Sequence, residues 1–114
     1  MRIVGFHAIG QIIFRREYRK LMLIYVVKVK IRMEWVHSLK EKRMVVKSIC
    51  VKLKNHFNVS VAEVEEQDIH QLAVIAYVYI ADNQAQGDSI YEKTIDYLEE
   101  NTDGEIINVD RQIY

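Results

Sequence analysis

The chain contains no proline and only four glycines among its 114 residues. Those two residues punctuate linkers and turns, so nothing in the composition marks a flexible boundary between domains. Its single cysteine, Cys50, excludes an internal disulfide and a thiolate metal cage, and fits a reducing cytoplasm. No apolar run reaches the roughly 20 residues of a membrane helix. The opening stretch IVGFHAIGQIIF is broken by His7 and Gln11 and followed by basic residues, so it does not read as a signal peptide. Signatures of catalysis are equally scarce. His7, His37, His56 and His70 have no HxxxH or HExxH spacing. Gly5, Gly10, Gly87 and Gly104 are isolated, which excludes a glycine-rich phosphate loop. Glu63, Glu65, Glu66 and Asp68 read more economically as a charged strand end and turn than as a cation site. Neither an enzyme nor a cofactor is expected.

What is present is an apolar half and a divided charge. Hydrophobic residues make up 50% of the chain and the formal net charge is zero, as in an ordinary globular domain. The zero is a sum of unlike halves. Residues 1–54 carry fourteen Lys and Arg against three Asp and Glu, and residues 55–114 carry two against thirteen. A basic half suits nucleic acid, or two elements of one fold that neutralise each other.

Periodicity supplies the elements. From Tyr25 to Met33, Tyr25, Val27, Val29, Ile31 and Met33 alternate with Lys28, Lys30 and Arg32, a half-buried strand. Ser38-Leu39-Lys40-Glu41 fits a capping box, and the helix after it places Leu39, Val46, Ile49, Cys50, Leu53 and Phe57 on one face. Cys50 there is packing rather than a nucleophile. Asn58–Val64 is a short β-branched strand. Gln71–Ala81 is a nearly continuous apolar strand with Leu72, Val74, Ala76, Val78 and Ile80 on one side and Ile75, Tyr77 and Tyr79 on the other. After Asp82-Asn83 a helix runs to about Glu100, and EIINVDRQI closes as a strand. The order βαββαβ predicts an α+β, ferredoxin-like sandwich: a four-stranded antiparallel sheet, order 4-1-3-2, with two helices on one face.

With that pattern assembled, HSLKEKRMVVKS (residues 37–48), FNVSVAEVEEQD (residues 57–68) and the long strand after them resemble the YlxP-like family of small bacterial proteins of unknown function. The resemblance covers residues 22–114, a single domain. Residues 1–21 stand outside it, as an N-terminal extension or as a mis-assigned start with Met22 the initiator. Tyr77 and Tyr79 depart from the family pattern, where smaller aliphatic residues are expected. The resemblance implies a ferredoxin-like fold and an association with ribosome maturation or translation, and no established activity.

Two surfaces could carry a binding function. Lys40, Arg43, Lys47 and Lys54 fall within a helical stripe about 60° wide, a row of cations suited to phosphates. The rival reading sets them against the acidic second helix as compensating rims. On the sheet, Lys28, Lys30 and Arg32 are expected beside Tyr77 and Tyr79 on the face away from the helices, an arrangement that stacks bases in RNA recognition motifs. The rival there is self-association, in which that face, with Ile24, Val26 and Ile75, meets a second copy. Met44 and Val51 form an apolar pair on the outer side of the first helix. The expected partners are ribosomal RNA or a ribosomal subunit, with a homodimer as the alternative, in the cytoplasm and without a membrane.

Overall fold

A computed structural model of the protein describes residues 22–114, so the expected N-terminal extension lies outside the described residues. The elements are β1 (Leu23–Arg32), α1 (Leu39–His56), β2 (Ser60–Glu65), β3 (Leu72–Ala81), α2 (Gln84–Asn101) and β4 (Glu105–Ile113). They form one antiparallel sheet in the order β2-β3-β1-β4, the expected 4-1-3-2 read from the other edge. Val46, Ile49 and Leu53 of α1 and Leu98 of α2 join the same buried cluster as the inner rows of β1 and β3, so both helices cover one face.

Local signals set the helix ends. Ser38 caps α1 by accepting the Glu41 backbone N–H at 3.1 Å. At the other end, the Phe57 N–H closes onto the Leu53 carbonyl. Asn83 caps α2 in the same way, accepting the Gln86 N–H at 2.8 Å, while Gln86 Oε1 reaches back to the Asp82 N–H at 2.6 Å. Both devices satisfy backbone donors that the first helical turn leaves unpaired.

The buried row of β3 is the reverse of the one anticipated. Tyr77 and Tyr79 point under the helices, 0% and 4% exposed, with Ile75 beside them. Antiparallel register explains the correction. Tyr25 lies opposite Tyr79, Val27 opposite Tyr77 and Val29 opposite Ile75, and residues directly opposite share a face. Once Val27 and Val29 turn inward, the tyrosines must follow. Ala76, Val78 and Ile80 therefore stand on the open face with Lys28, Val26 and Ile24.

Burying three phenols requires three hydroxyl partners, and α2 supplies them. Tyr25 Oη donates to Asp88 Oδ1 at 2.7 Å, Tyr79 Oη to the Gly87 carbonyl at 2.8 Å, and Tyr77 Oη lies 2.7 Å from Thr94 Oγ1. The Tyr25 and Tyr79 rings stack with centroids 5.0 Å apart. Gly87 rests on them so closely that an added Cβ would fall 2.0 Å from a Tyr25 ring carbon. The glycine is there for close approach.

Burial pushes the Tyr25 hydroxyl up to about 12, helped by its hydrogen bond to Asp88 and that carboxylate's charge. It also pushes Tyr77 up to about 12 and raises Tyr79 further above the ordinary tyrosine value. A phenol with a raised pKa holds its proton more tightly in the folded chain than in the unfolded one. The stability it contributes is therefore complete below pH 10, the unfolded value, and is lost as pH rises through about 12. Alkaline titration followed by tyrosinate absorbance and circular dichroism should show these rings ionising together with loss of structure. Ionisation of every tyrosine near pH 10 in an intact fold would contradict the buried arrangement.

Candidate functional site

The first helix is fastened to the sheet by a residue that its sequence type concealed. Lys42 is fully buried, in line with Val46, Ile49 and Leu53. Its ammonium donates to the carbonyls of Glu66 and Ile69, the latter at 2.7 Å, and lies 3.0 Å from Glu63 Oε2. Two carbonyls take hydrogen bonds from the ammonium and the Glu63 carboxylate balances its charge. Glu66 adopts a left-handed backbone, φ 57°, which is uncommon outside glycine, and its carbonyl is one of the two. Lys42 thus ties α1 to the β2–β3 turn.

A bulge in β2 divides the acidic cluster between two faces. Alternation alone would send Glu63 and Glu65 to the same side. The register against β3 shifts between them, so Glu63 pairs with Ile75 and Glu65 with its neighbour Val74. Glu63 turns inward to Lys42, and Glu65 turns outward to Lys28 at 2.9 Å. Among the described residues, no three His, Cys, Asp or Glu side chains form a group that could hold a metal ion.

The strand cations are largely neutralised. The bond to Glu65, reinforced by that carboxylate's charge, raises the Lys28 pKa, and Asp110 sits opposite Lys28 in the β4 register. Arg32 lies 3.9 Å from Glu105. Lys30 faces Asn108 and has no carboxylate within 4.0 Å among the described residues. With Tyr77 and Tyr79 buried, the open face offers neither of the two rings expected for stacking.

Helix α1 is different. Lys40, Arg43, Lys47 and Lys54 are all exposed, as is Lys52. None has a carboxylate within 4.0 Å among the described residues. The compensation expected between the two helices is absent because of helix rotation. The flank of α1 near the end of α2 carries Val45, Ser48 and Lys52, and the Lys40–Lys54 stripe lies roughly 140° around the helix from it. Of the α2 carboxylates, Asp88 holds Arg111, whose guanidinium also lies 4.6 Å from the Tyr91 ring centre.

Between that flank and the C-terminal end of α2 runs a shallow groove of about 280 Å³. It is lined by Trp35 ahead of α1, by Met44, Ile49 and Lys52 of α1, and by Asn101 and Asp103 at the end of α2. Trp35 is 39% exposed and Met44 66%. Met44 and Val51 are exposed on α1 as anticipated, whereas Trp35, Lys42 and Lys52 were missed. The signal for Lys42 was its place in the series 42, 46, 49, 53. For Trp35 it was the only indole of the chain lying just before a capped basic helix. Cys50 is half-buried, and burial followed by the Glu63 charge pushes its thiol pKa up, which suits packing.

Residues 24–111 match the family described as "Protein of unknown function (DUF503)". A relative from Bacillus subtilis (strain 168), "Uncharacterized protein YlxP", is 31% identical over 62 residues, which span 54% of this chain and 67% of that protein. Among solved structures, the de novo designed protein Foldit4 aligns with TM-score 0.47 and 14% identity over 82% of this chain and 96% of its own. No helix among the described residues is long and apolar enough to cross a membrane.

Replacing Lys42 tests the anchor beneath the basic helix. Lys42→Met fills the volume and leaves Glu63 and two carbonyls without their cation. It should destabilise the protein by about 3–5 kcal/mol, the usual cost of removing one member of a buried pair. A urea midpoint equal to that of the unaltered protein would show that these groups do not depend on Lys42.

Proposed function

The chain belongs to the DUF503 family of proteins of unknown function, and from that premise we propose that it is a non-enzymatic cytoplasmic protein that binds RNA through the solvent face of α1, with ribosomal RNA or a ribosomal subunit as its partner. One observation carries the reading. Lys40, Arg43, Lys47 and Lys54 form one stripe of α1 with no carboxylate within 4.0 Å among the described residues, while Lys28, Arg32, Lys42 and Arg111 are paired. From Lys40 to Lys54 the row spans about 21 Å of helix axis. Such a row gains affinity by releasing the counterions condensed on a phosphate backbone, which makes binding steeply salt-dependent. Paired cations on the sheet would first have to give up their carboxylates.

The test is a salt series of binding to purified ribosomal subunits and to RNA. Lys40→Glu, Arg43→Glu and Lys47→Glu together should weaken binding more than tenfold. They should also flatten the dependence of log affinity on log salt by about 0.7 for each single-strand phosphate that is no longer neutralised. Lys28→Gln and Arg32→Gln should change little. Equal weakening by the strand and helix variants, or no binding at low salt, would remove this reading.

The open sheet face favours a second reading, a homodimer interface. Ile80 is 65% exposed and Val78 38% exposed, opposite Ile24 and Val26, in a row of apolar side chains across the two central strands. Lys28, Lys30 and Arg32 on the same face are balanced by Glu65, Glu105 and Asp110, so two copies could meet there without net repulsion. Light scattering on the full chain should give a dimer that Ile80→Lys converts to monomers. A monomeric unaltered protein would exclude this interface. Substitution of Tyr77 or Tyr79 would instead disturb the core.

A further inference from the structure

We infer that the groove beside α1 receives a single unstacked base of RNA, held against the indole of Trp35 while the strand's phosphates follow the cations of α1. This rests on the RNA reading above and narrows the ligand to single-stranded RNA.

Three features converge there. Trp35 and Tyr114 are the exposed large aromatic rings among the described residues. Tyr114 pairs with Ile24 at the sheet edge, whereas Trp35 lines the groove, just ahead of the α1 cap. An exposed indole next to an exposed Met44 is an apolar platform on which any base can stack. The groove, about 280 Å³, lies at the small end of ligand sites and suits one planar ring system. Its rim is polar, with Ser48, Lys52, Asn101 and Asp103 offering donors and acceptors to the edge of a base.

Charge decides how the strand enters. Asp103 and the carbonyl end of α2 border the groove and disfavour a phosphate inside it. The Lys40–Lys54 stripe on the outer shoulder of α1 has no such neighbour. The strand therefore keeps its phosphates on that stripe, crosses the exposed side of α1 past Met44, and turns one base into the groove on the far flank. A duplex keeps its bases stacked inside the helix and cannot use this groove. It can still meet the cations, so the two forms of RNA separate the groove from the charged row.

The experiment uses the full chain, an unstructured RNA oligonucleotide about ten nucleotides long, and the duplex it forms with its complement. Binding is read by fluorescence anisotropy of labelled RNA, and stacking by the intrinsic emission of Trp35, the only tryptophan in the protein. Single-stranded RNA should quench Trp35 as it saturates; duplex RNA should bind without quenching. Trp35→Ala should bind the single strand roughly five- to a hundred-fold more weakly and the duplex equally well. Trp35→Phe, which keeps a ring, should recover most of the affinity. Saturable anisotropy with unchanged Trp35 emission, or a Trp35→Ala protein that binds single strands normally, would overturn the stacking site and leave the RNA reading standing. Absence of binding to either RNA would overturn both. Recovery of single-strand affinity by Trp35→Phe would separate stacking from a loss of fold.

Discussion

The pairing of β1 with β3 is the constraint from which the rest of the architecture follows. With Val27 opposite Tyr77 and Tyr25 opposite Tyr79, three phenols face the helical layer, where each hydroxyl must find a partner or lose its hydration uncompensated. Helix α2 answers with the Asp88 carboxylate, the Gly87 carbonyl and the Thr94 hydroxyl. Those bonds set its height above the sheet, and the missing side chain at Gly87 permits the approach. The position of α2 in turn leaves its C-terminal end beside one flank of α1, where the groove forms.

A second constraint acts on α1. Lys42 satisfies two carbonyls of the β2–β3 turn and pairs in charge with the Glu63 carboxylate, and the bulge at Val64 makes this possible by giving Glu63 and Glu65 opposite faces. The rotation that buries Lys42 carries Lys40, Arg43, Lys47 and Lys54 outward and away from α2. Exposed ion pairs such as Lys28–Glu65 are screened by water and do little for stability. Their consequence is on the surface potential: they quench Lys28 and Arg32 and leave the cations of the helix unopposed.

Strand alternation, the Ser38 cap and the βαββαβ order were readable from the chain, and the fold follows from them. The inward face of β3 was not. Leu72, Val74, Ala76, Val78 and Ile80 form as convincing an apolar row as Ile75, Tyr77 and Tyr79, and a period of two separates rows without saying which is buried. Lys42 escaped for a related reason, since pattern reading sends every lysine outward although its stem is apolar and its head needs only partners. Of the candidate site, the α1 stripe was found as such, but whether it was neutralised depended on a helix rotation that no local signal records.

Local chemistry thus determined the elements, their ends and their order, because caps and periodicity act over a few residues and crossover handedness is general. Interactions between distant segments decided the remainder. They selected the tyrosine row as core, turned Lys42 into an anchor, and divided the acidic cluster between the two faces of the sheet. They also set which cations stay unpaired and where Trp35 meets the end of α2. Each of these depends on a partner many residues away, 59 between Tyr25 and Gln84 and 24 between Lys42 and Glu66. Burial and pairing are properties of that assembled geometry, and a one-dimensional pattern holds them only after the register is known.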